Sequence, residues 1–324
     1  MKPKHIPLIA ATALAAFGMQ LSHAADSYPS RPIRIISPYQ AGSSTETFGR
    51  MLSTEMGELL GQPLVIESKP GAAGTTGARE VARSKPDGYT GLMNASIQVM
   101  YRGMFRSLPF DPLKDFAPVG VFGFAPMVVV VAPTSPVTTF KGMLEQAREK
   151  PGKLSFASGG LGSLPHLVGE LVNMRTNVDI KHVAYNGTGQ AITDVVGGHV
   201  DILYASVASA LPLIKAGKLR ALAVTSKNRV ELLPDVPTIA EAAIPDFDVS
   251  SWYAMWMPKG TPPATVERLN QAMRAASALP AVQQRMHAYG MVPSTLTADE
   301  FARFSATESA KWLDIMRQAH VEMN

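Results

Sequence analysis

The sequence predicts an α/β fold with helices on both faces of a largely parallel sheet, and three observations carry that expectation. Short β-branched runs alternate with segments whose apolar residues recur at helical spacing. Loops rich in glycine, serine and threonine join each run to the helical segment after it. The composition is globular, with 46% of the 324 residues hydrophobic and 17% charged. Alternation of strand and helix favours parallel pairing, because a parallel crossover needs a helix to carry the chain back.

The elements follow in order. Lys2 and Lys4 precede an apolar run from Ile6 to Phe17, and Ser22-His23-Ala24 closes it with small residues at alternate positions. Residues 1–24 therefore read as a secretory signal peptide cleaved after Ala24. A membrane-anchoring helix is the competing reading, but the run falls short of the roughly 20 apolar residues that span a bilayer. Ile33, Ile35 and Ile36 make the first strand, and the loop from Gln40 to Thr45 leads to a helix burying Phe48, Met51, Leu52, Met56, Leu59 and Leu60. Leu64-Val65-Ile66 is the second strand, followed by the loop Pro70 to Gly77, a short helix from Ala78 to Ser84, and a strand from Tyr89 to Met93.

A third unit runs from Leu154-Ser155-Phe156 through Ser158 to Ser163 into a helix carrying Leu167, Leu171 and Met174. A fourth runs from His182 to Tyr185 through Asn186-Gly187-Thr188-Gly189 into Ala191 to Val196, where Gly197-Gly198 stops the helix. Two β-rich segments, Met127 to Ala132 and Leu219 to Thr225, bracket these units and read as crossovers between two lobes. One lobe takes residues 25–123 and 228–324, the other 124–227. The C-terminal part is helical over Thr265 to Ser277, Ala281 to Tyr289 and Ala298 to Gln318, with Thr297 as N-cap of the last.

Charge and composition exclude several function classes. Without Lys2 and Lys4 the mature chain carries 28 basic and 26 acidic residues, too balanced a set for nucleic-acid binding. It has no cysteine, which rules out disulfides, thiolate catalysis and Cys-ligated metal. No later stretch is apolar for long enough to cross a membrane, so the mature protein is expected to be periplasmic and not membrane-inserted. Gly71-Ala72-Ala73-Gly74 is not a dinucleotide fingerprint, and no Gly-Lys-Ser/Thr triplet follows any loop, so no nucleotide cofactor is expected. His166, His182, His199, His287 and His320 lack the spacing of a zinc site, and no metal is expected either.

All four loops join the C-terminal end of a strand to the start of a helix, the edge at which open α/β sheets bind ligands. There the first helical N–H groups lack internal partners and the helix dipole places partial positive charge. Gly42, Gly74, Gly159, Gly160, Gly162 and Gly187 let backbone amides approach a ligand, and Ser43, Ser44, Thr45, Thr75, Thr76, Ser158 and Ser163 add hydroxyls. Such a set suits a small carboxylate, although any one loop of this composition also serves simply to cap a helix or make a turn. Tyr39 and Tyr185 each end a strand before such a loop and are expected to wall the pocket; Trp252, Trp256 and Trp312 read as packing residues. His166 lies at the mouth of the third helix, where a first-turn structural role and ligand contact are both open. Ser158 with His166 invites a hydrolase reading, but no Gly-x-Ser-x-Gly elbow is present. A ligand-sensing partner of a membrane kinase is a further reading that leaves the same sequence.

Seven stretches in order extend the case: Tyr28-Pro29-Ser30-Arg31-Pro32-Ile33, Pro38-Tyr39-Gln40-Ala41-Gly42, Lys69-Pro70-Gly71-Ala72-Ala73-Gly74, Ala82-Arg83-Ser84-Lys85-Pro86-Asp87-Gly88-Tyr89-Thr90, His182-Val183-Ala184-Tyr185-Asn186-Gly187, Gly197-Gly198-His199-Val200-Asp201 and Leu233-Pro234-Asp235-Val236-Pro237-Thr238. On these the whole mature chain resembles the substrate-binding receptors of tripartite tricarboxylate transporters, the Bug family. The resemblance implies a type II periplasmic-binding-protein fold, two α/β lobes closing on a ligand that passes to a two-component membrane permease. It also implies that the carboxylate is held by the first lobe's two small-residue loops, here Tyr39, Gly42, Ser43, Ser44 and Thr45, then Ala73, Gly74, Thr75 and Thr76, with Ser96 in the same set. The second lobe would add Ser158, Gly159, Ser163, His166, Tyr185, Asn186, Gly187, Ala205 and Ser206. The chain departs from the family pattern at Ser43, commonly glycine, at Glu46, commonly aspartate, and at Ala205, often acidic. Loss of that acid argues against an amino-acid ligand and for a dicarboxylate or an aromatic carboxylate.

Overall fold

The computed structural model of the protein describes residues 28–321; the signal-peptide reading of residues 1–24 lies outside the described residues. The first unit is β1 (Ile33–Ser37), α1 (Ser44–Leu60), β2 (Leu64–Ser68), α2 (Thr75–Ala82) and β3 (Thr90–Ala95). α1 starts where Ser43 accepts a hydrogen bond from Glu46 N and stops where Gly61 adopts a left-handed φ of 74°. α2 begins at Thr75, three residues earlier than its apolar pattern suggests, because the positive-φ residues Gly71, Ala72, Ala73 and Gly74 turn the chain straight into it.

After α3 (Tyr101–Met104), β4 (Phe116–Val131) runs for 16 residues and belongs to two sheets. The second unit then follows as α4 (Phe140–Glu149), β5 (Ser155–Ser158), α5 (Leu164–Thr176), β6 (Lys181–Ala184), α6 (Thr188–Val196), β7 (Ile202–Ser206), α7 (Val207–Lys215), β8 (Arg220–Val224) and α8 (Ile239–Ala242). β9 (Ser250–Pro258), α9 (Pro263–Ser277), α10 (Pro280–Ala288), β10 (Val292–Pro293) and α11 (Ala298–Gln318) complete the chain. Thr297 caps α11 in a capping box with Glu300, as its sequence position suggests.

The first sheet has the order β2-β1-β3-β9-β4, with β10 on the far side of β4; the second has β8-β4-β7-β5-β6. Two α/β lobes result, joined where β4 leaves one sheet for the other. The outer pairs are parallel, β1 with β2 and β3, and β5 with β6 and β7. The centre is antiparallel, with β4 against β9, β7 and β8 and β3 against β9. The largely parallel sheet expected from the strand–helix grammar is thus a mixed one. β4 passes from the first sheet into the second while β9 returns between β3 and β4 in the first, and antiparallel neighbours need no helical crossover.

Thr225, fully buried, ties the crossing strands together. Its N–H donates to Met127 O at 2.9 Å, its Oγ1 accepts from Met127 N at 3.0 Å and donates to Val249 O at 2.6 Å. One core packs β1, α1, β9 and α9 through Ile33, Phe48, Leu52, Met255 and Leu269. Another packs β4, β7 and α6 through Val128, Leu203 and Val195. A third is continuous between the lobes and holds Phe156, Tyr204, Trp252, Trp256 and Trp312, so the tryptophans are packing residues as expected. α11 belongs to it and packs on β4, α3 and α5.

Candidate functional site

A cavity of about 270 Å³ opens between the lobes. From the first lobe it is lined by Tyr39, by Ser43, Ser44 and Thr45 at the start of α1, by Ala95, Ser96, Ile97 and Met100 after β3, and by Ser251 and Tyr253 of β9. From the second lobe come Ser163 and Leu164 at the start of α5. The first turns of two helices, 17 and 13 residues long, therefore meet at one space. Among the described residues, no charged side chain lines it. Positive potential there comes from peptide N–H groups and helix dipoles.

Each lobe prepares its amides differently. In the first, Gly42 N donates to Glu46 Oε2 at 2.9 Å and Ser43 N to Gln40 O at 3.1 Å, which winds the loop tightly onto α1. Glu46 is buried, and the Arg50 guanidinium beside it, with the Gly42 amide, holds its carboxyl below the usual range. In the second lobe the Ser163 hydroxyl donates to Gly160 O at 2.7 Å and caps no N–H of α5. The first-turn amides of Leu164 and His166 are thus not capped by Ser163, and Pro165 has none.

A buried network joins the two loops of the first lobe. Asn94 Oδ1 accepts from Tyr39 Oη at 2.9 Å, and its Nδ2 donates to Gln98 Oε1 at 2.9 Å and Tyr101 Oη at 3.2 Å. Tyr101 Oη in turn donates to Ala73 O at 3.0 Å. Burial pushes the Tyr39 phenol well above its usual range and Tyr101 up to about 12, so both rings stay neutral. Gly74 is required in this network: its φ is 95°, and a Cβ would stand 2.6 Å from Tyr101 Oη.

The second lobe carries a histidine pair behind its loop. The His166 and His182 rings stack with centroids 3.7 Å apart, and Phe156 lies against both. His166 Nδ1 accepts from Gly162 N at 3.0 Å, and its Nε2 faces Glu170 Oε1 at 3.7 Å. His182 Nε2 is 2.7 Å from Ser158 Oγ, which also meets Gly160 O at 3.0 Å. Burial depresses His166 to about 3, with the neighbouring His182 adding to the effect, and depresses His182 to about 4. The imidazole beside Ser158 is therefore His182, not His166, and Ser158 is fully buried.

Of the residues expected at the site, Tyr39, Ser43, Ser44, Thr45, Ser96 and Ser163 come together on the cavity wall. Gly42, Ala73, Gly74, Thr75 and Thr76 stand behind it in the supporting loops, with Thr75 Oγ1 donating to Ala72 O. Ser158, Gly159 and His166 form the frame of the α5 loop, where His166 Nδ1 accepts from Gly162 N and is not on the cavity wall. Tyr185 Oη donates to Asp194 at 2.7 Å, and Asn186 and Gly187 flank it before α6. Ala205 is buried, paired across the sheet with Val128, and Ser206 caps α7. Ser251 and Tyr253 were not anticipated, nor were Ala95, Ile97, Met100 and Leu164. The signal for the first two was the alternation Val249, Ser251, Tyr253 along an apolar run.

The model of the tripartite tricarboxylate transporter family receptor matches residues 48–321. Protein BugT of Bordetella pertussis is 35% identical over 96% of this chain and 96% of its own. A Rhodopseudomonas palustris protein solved with adipate is 30% identical, covers 91% of this chain and all of its own, and superposes with a TM-score of 0.79. MatC of Rhodopseudomonas palustris, solved with bound malate, is also 30% identical, covers 89% of this chain and all of its own, and has a TM-score of 0.75. The fold is accordingly the two-lobed type II periplasmic-binding-protein fold. With sequence, fold and interlobe cavity in agreement, the chain belongs to the tripartite tricarboxylate transporter receptors of the Bug family.

Proposed function

We propose that this protein is a periplasmic receptor that encloses a small organic carboxylate between its lobes and delivers it to a two-component membrane permease. The observation that carries the reading is the meeting of the α1 and α5 N-termini, one from each lobe, at a cavity free of charged side chains. A carboxylate oxygen accepts from the open amides of either helix, so binding draws the lobes together. Tyr39, Ser43, Ser44, Thr45, Ser96 and Ser163 are the proposed contacts, with Ser251 and Tyr253 added. Ile97, Met100 and Leu164 offer an apolar strip for the body of the ligand, which suits a dicarboxylate with a methylene chain or an aromatic acid. The adipate and malate held by the two relatives support the same class.

A binding protein, not an enzyme, also accounts best for the hydroxyls on the wall, none of which hydrogen-bonds an imidazole or a carboxylate among the described residues. The leader in residues 1–24 and the family together support export, and no helix among the described residues is long and apolar enough to cross a membrane. We further place the return to the first lobe at Val249–Ser250, later than residue 228. Thr238 bridges to Val224, and α8 packs on α4, both in the second lobe.

The test is thermal unfolding of protein stripped of co-purified ligand by unfolding and refolding, against dicarboxylates, tricarboxylates, aromatic acids, amino acids and sugars. A ligand at a hundredfold excess over its Kd stabilises by about 2.7 kcal/mol. A response confined to one group of carboxylates is expected; silence across the acids, or a response to sugars alone, overturns the reading.

A further inference from the structure

Behind the strands that carry the cleft lies a second and larger cavity. Side chains along β9 alternate between faces. Ser251 and Tyr253 line the cleft, whereas Ser250 and Trp252 line a cavity of about 540 Å³ on the opposite face. One wall is first-lobe structure, with Phe124 of β4, Met291 and Val292 beside it, and Phe304 of α11. The other wall is the segment Ser226 to Leu232 that follows β8. Next to it the lobes touch: a Cβ on Gly290 would meet Val207 Cγ1 of α7 at 2.9 Å.

The two cavities are mechanically opposed. The Thr225 hydrogen bonds to Met127 and Val249 hold the segments that pass between the lobes together; β9 presents one face to each cavity, and β4 lines the rear one through Phe124 and Pro126. Rotation of the lobes about this point widens one cavity as it narrows the other. In the present arrangement residues of both lobes already line the front cavity. A molecule filling the rear cavity in this shape resists its narrowing, and so resists opening of the front.

The lining defines the chemistry. Phe304 packs edge-on against Phe124 at 5.7 Å and Trp252 at 5.4 Å, giving an aromatic base. On the rim, Arg229 is paired with Glu241, Lys311 with Glu308, and His287 Nδ1 faces Glu231 Oε2 across the gap at 3.8 Å. Lys227 has an exposed ammonium without an ion-pair partner among the described residues. We propose that the rear cavity is a second binding site, for a small aromatic anion, and that its occupation props the lobes in the closed arrangement. By linkage it raises affinity for the front ligand by the same factor that the front ligand raises affinity at the rear.

The probe is 1-anilinonaphthalene-8-sulfonate, an aromatic sulfonate, titrated by fluorescence into the mature chain. Val292→Trp places an indole in the cavity from a position 55% exposed on an edge strand, and Lys227→Glu reverses the rim charge. One equivalent of probe should bind, and each variant should weaken it by about tenfold or more. Because the chain has no cysteine, spin labels at Gln40→Cys and Leu161→Cys report lobe separation across the front cleft. Saturating probe should shift their distance distribution to shorter values. Absence of probe binding, affinity unchanged in both variants, or an unmoved distance distribution would each overturn the proposal. None of these outcomes bears on the carboxylate reading, because the thermal-unfolding panel needs no occupant at the rear.

Discussion

Replacing His166 by asparagine should make the protein markedly less sensitive to acid. Asn Oδ1 can take the place of Nδ1 as acceptor from Gly162 N, but it does not titrate. The ordinary imidazole value is 6.5, and burial lowers His166 to about 3 in the folded protein. Below pH 6.5 the unfolded chain therefore binds a proton that the folded chain refuses. The stability associated with this group is complete above 6.5 and is lost as pH falls towards 3. At 1.36 kcal/mol per unit, moving from pH 6.5 to 5.0 costs about 2 kcal/mol through His166 alone, since its side chain is almost wholly buried. In a chain of this size that is a Tm decrease of about 4 °C. Glu170, facing the ring, has its carboxyl raised by burial and so contributes with the opposite sign. The difference between wild type and variant, measured by scanning calorimetry from pH 7.5 to 5.0, isolates the histidine. If both proteins lose the same Tm to within about 1 °C, the depressed titration and the contact from Gly162 do not exist as described.

Three further perturbations test the supporting structure. Asn94→Ala leaves the Tyr39 hydroxyl and Gln98 Oε1 without their buried partner and should cost about 3 kcal/mol by urea denaturation, with carboxylate binding weakened in step. Gly74→Ala forces a side chain into a φ of 95° and against Tyr101 Oη, and should destabilise by about 2 kcal/mol while the circular-dichroism spectrum stays that of the wild type. Thr225→Val removes the hydroxyl that serves Met127 N and Val249 O; a loss of about 2 kcal/mol in chemical denaturation is expected, and an unchanged midpoint would remove the hinge role given to that residue.

Where residues act through local patterning, reading the chain forward worked. Thr297 caps the helix its position suggests, and the apolar runs at Ile33, Leu64 and Leu154 lie at or beside strands. The long strands were the failure. β4 begins at Phe116, ahead of the Met127–Ala132 segment that reads as β-rich, because Pro118, Gly120, Gly123 and Pro126 obscure the alternation. Register irregularities between Pro118 and Gly120 and between Val121 and Gly123 show how the sheet accommodates them. β9 was hidden by its small polar start at Ser250 and Ser251, and with it went Tyr253 of the cavity wall. The Ser158–His182 contact joins two parallel strands by register, Ser158 opposite Ala184, and such adjacency has no local signature. Ile97, Met100 and Leu164 look like core residues in any window and become cavity residues only through the apposition of the lobes.

The sharing of β4 between two sheets also governs how the chain can fold. Phe116 pairs with Pro258, and the whole of the second sheet lies between them in sequence. The first sheet cannot close until β9 has found β3 and β4, so contact order is high and folding slow. A fragment ending before Ser250 would leave Phe116–Pro126 without its β9 partner and expose a long apolar edge. The first lobe of a nascent chain thus stays open until β9 has been made, the condition in which a polypeptide can still be threaded through a narrow pore.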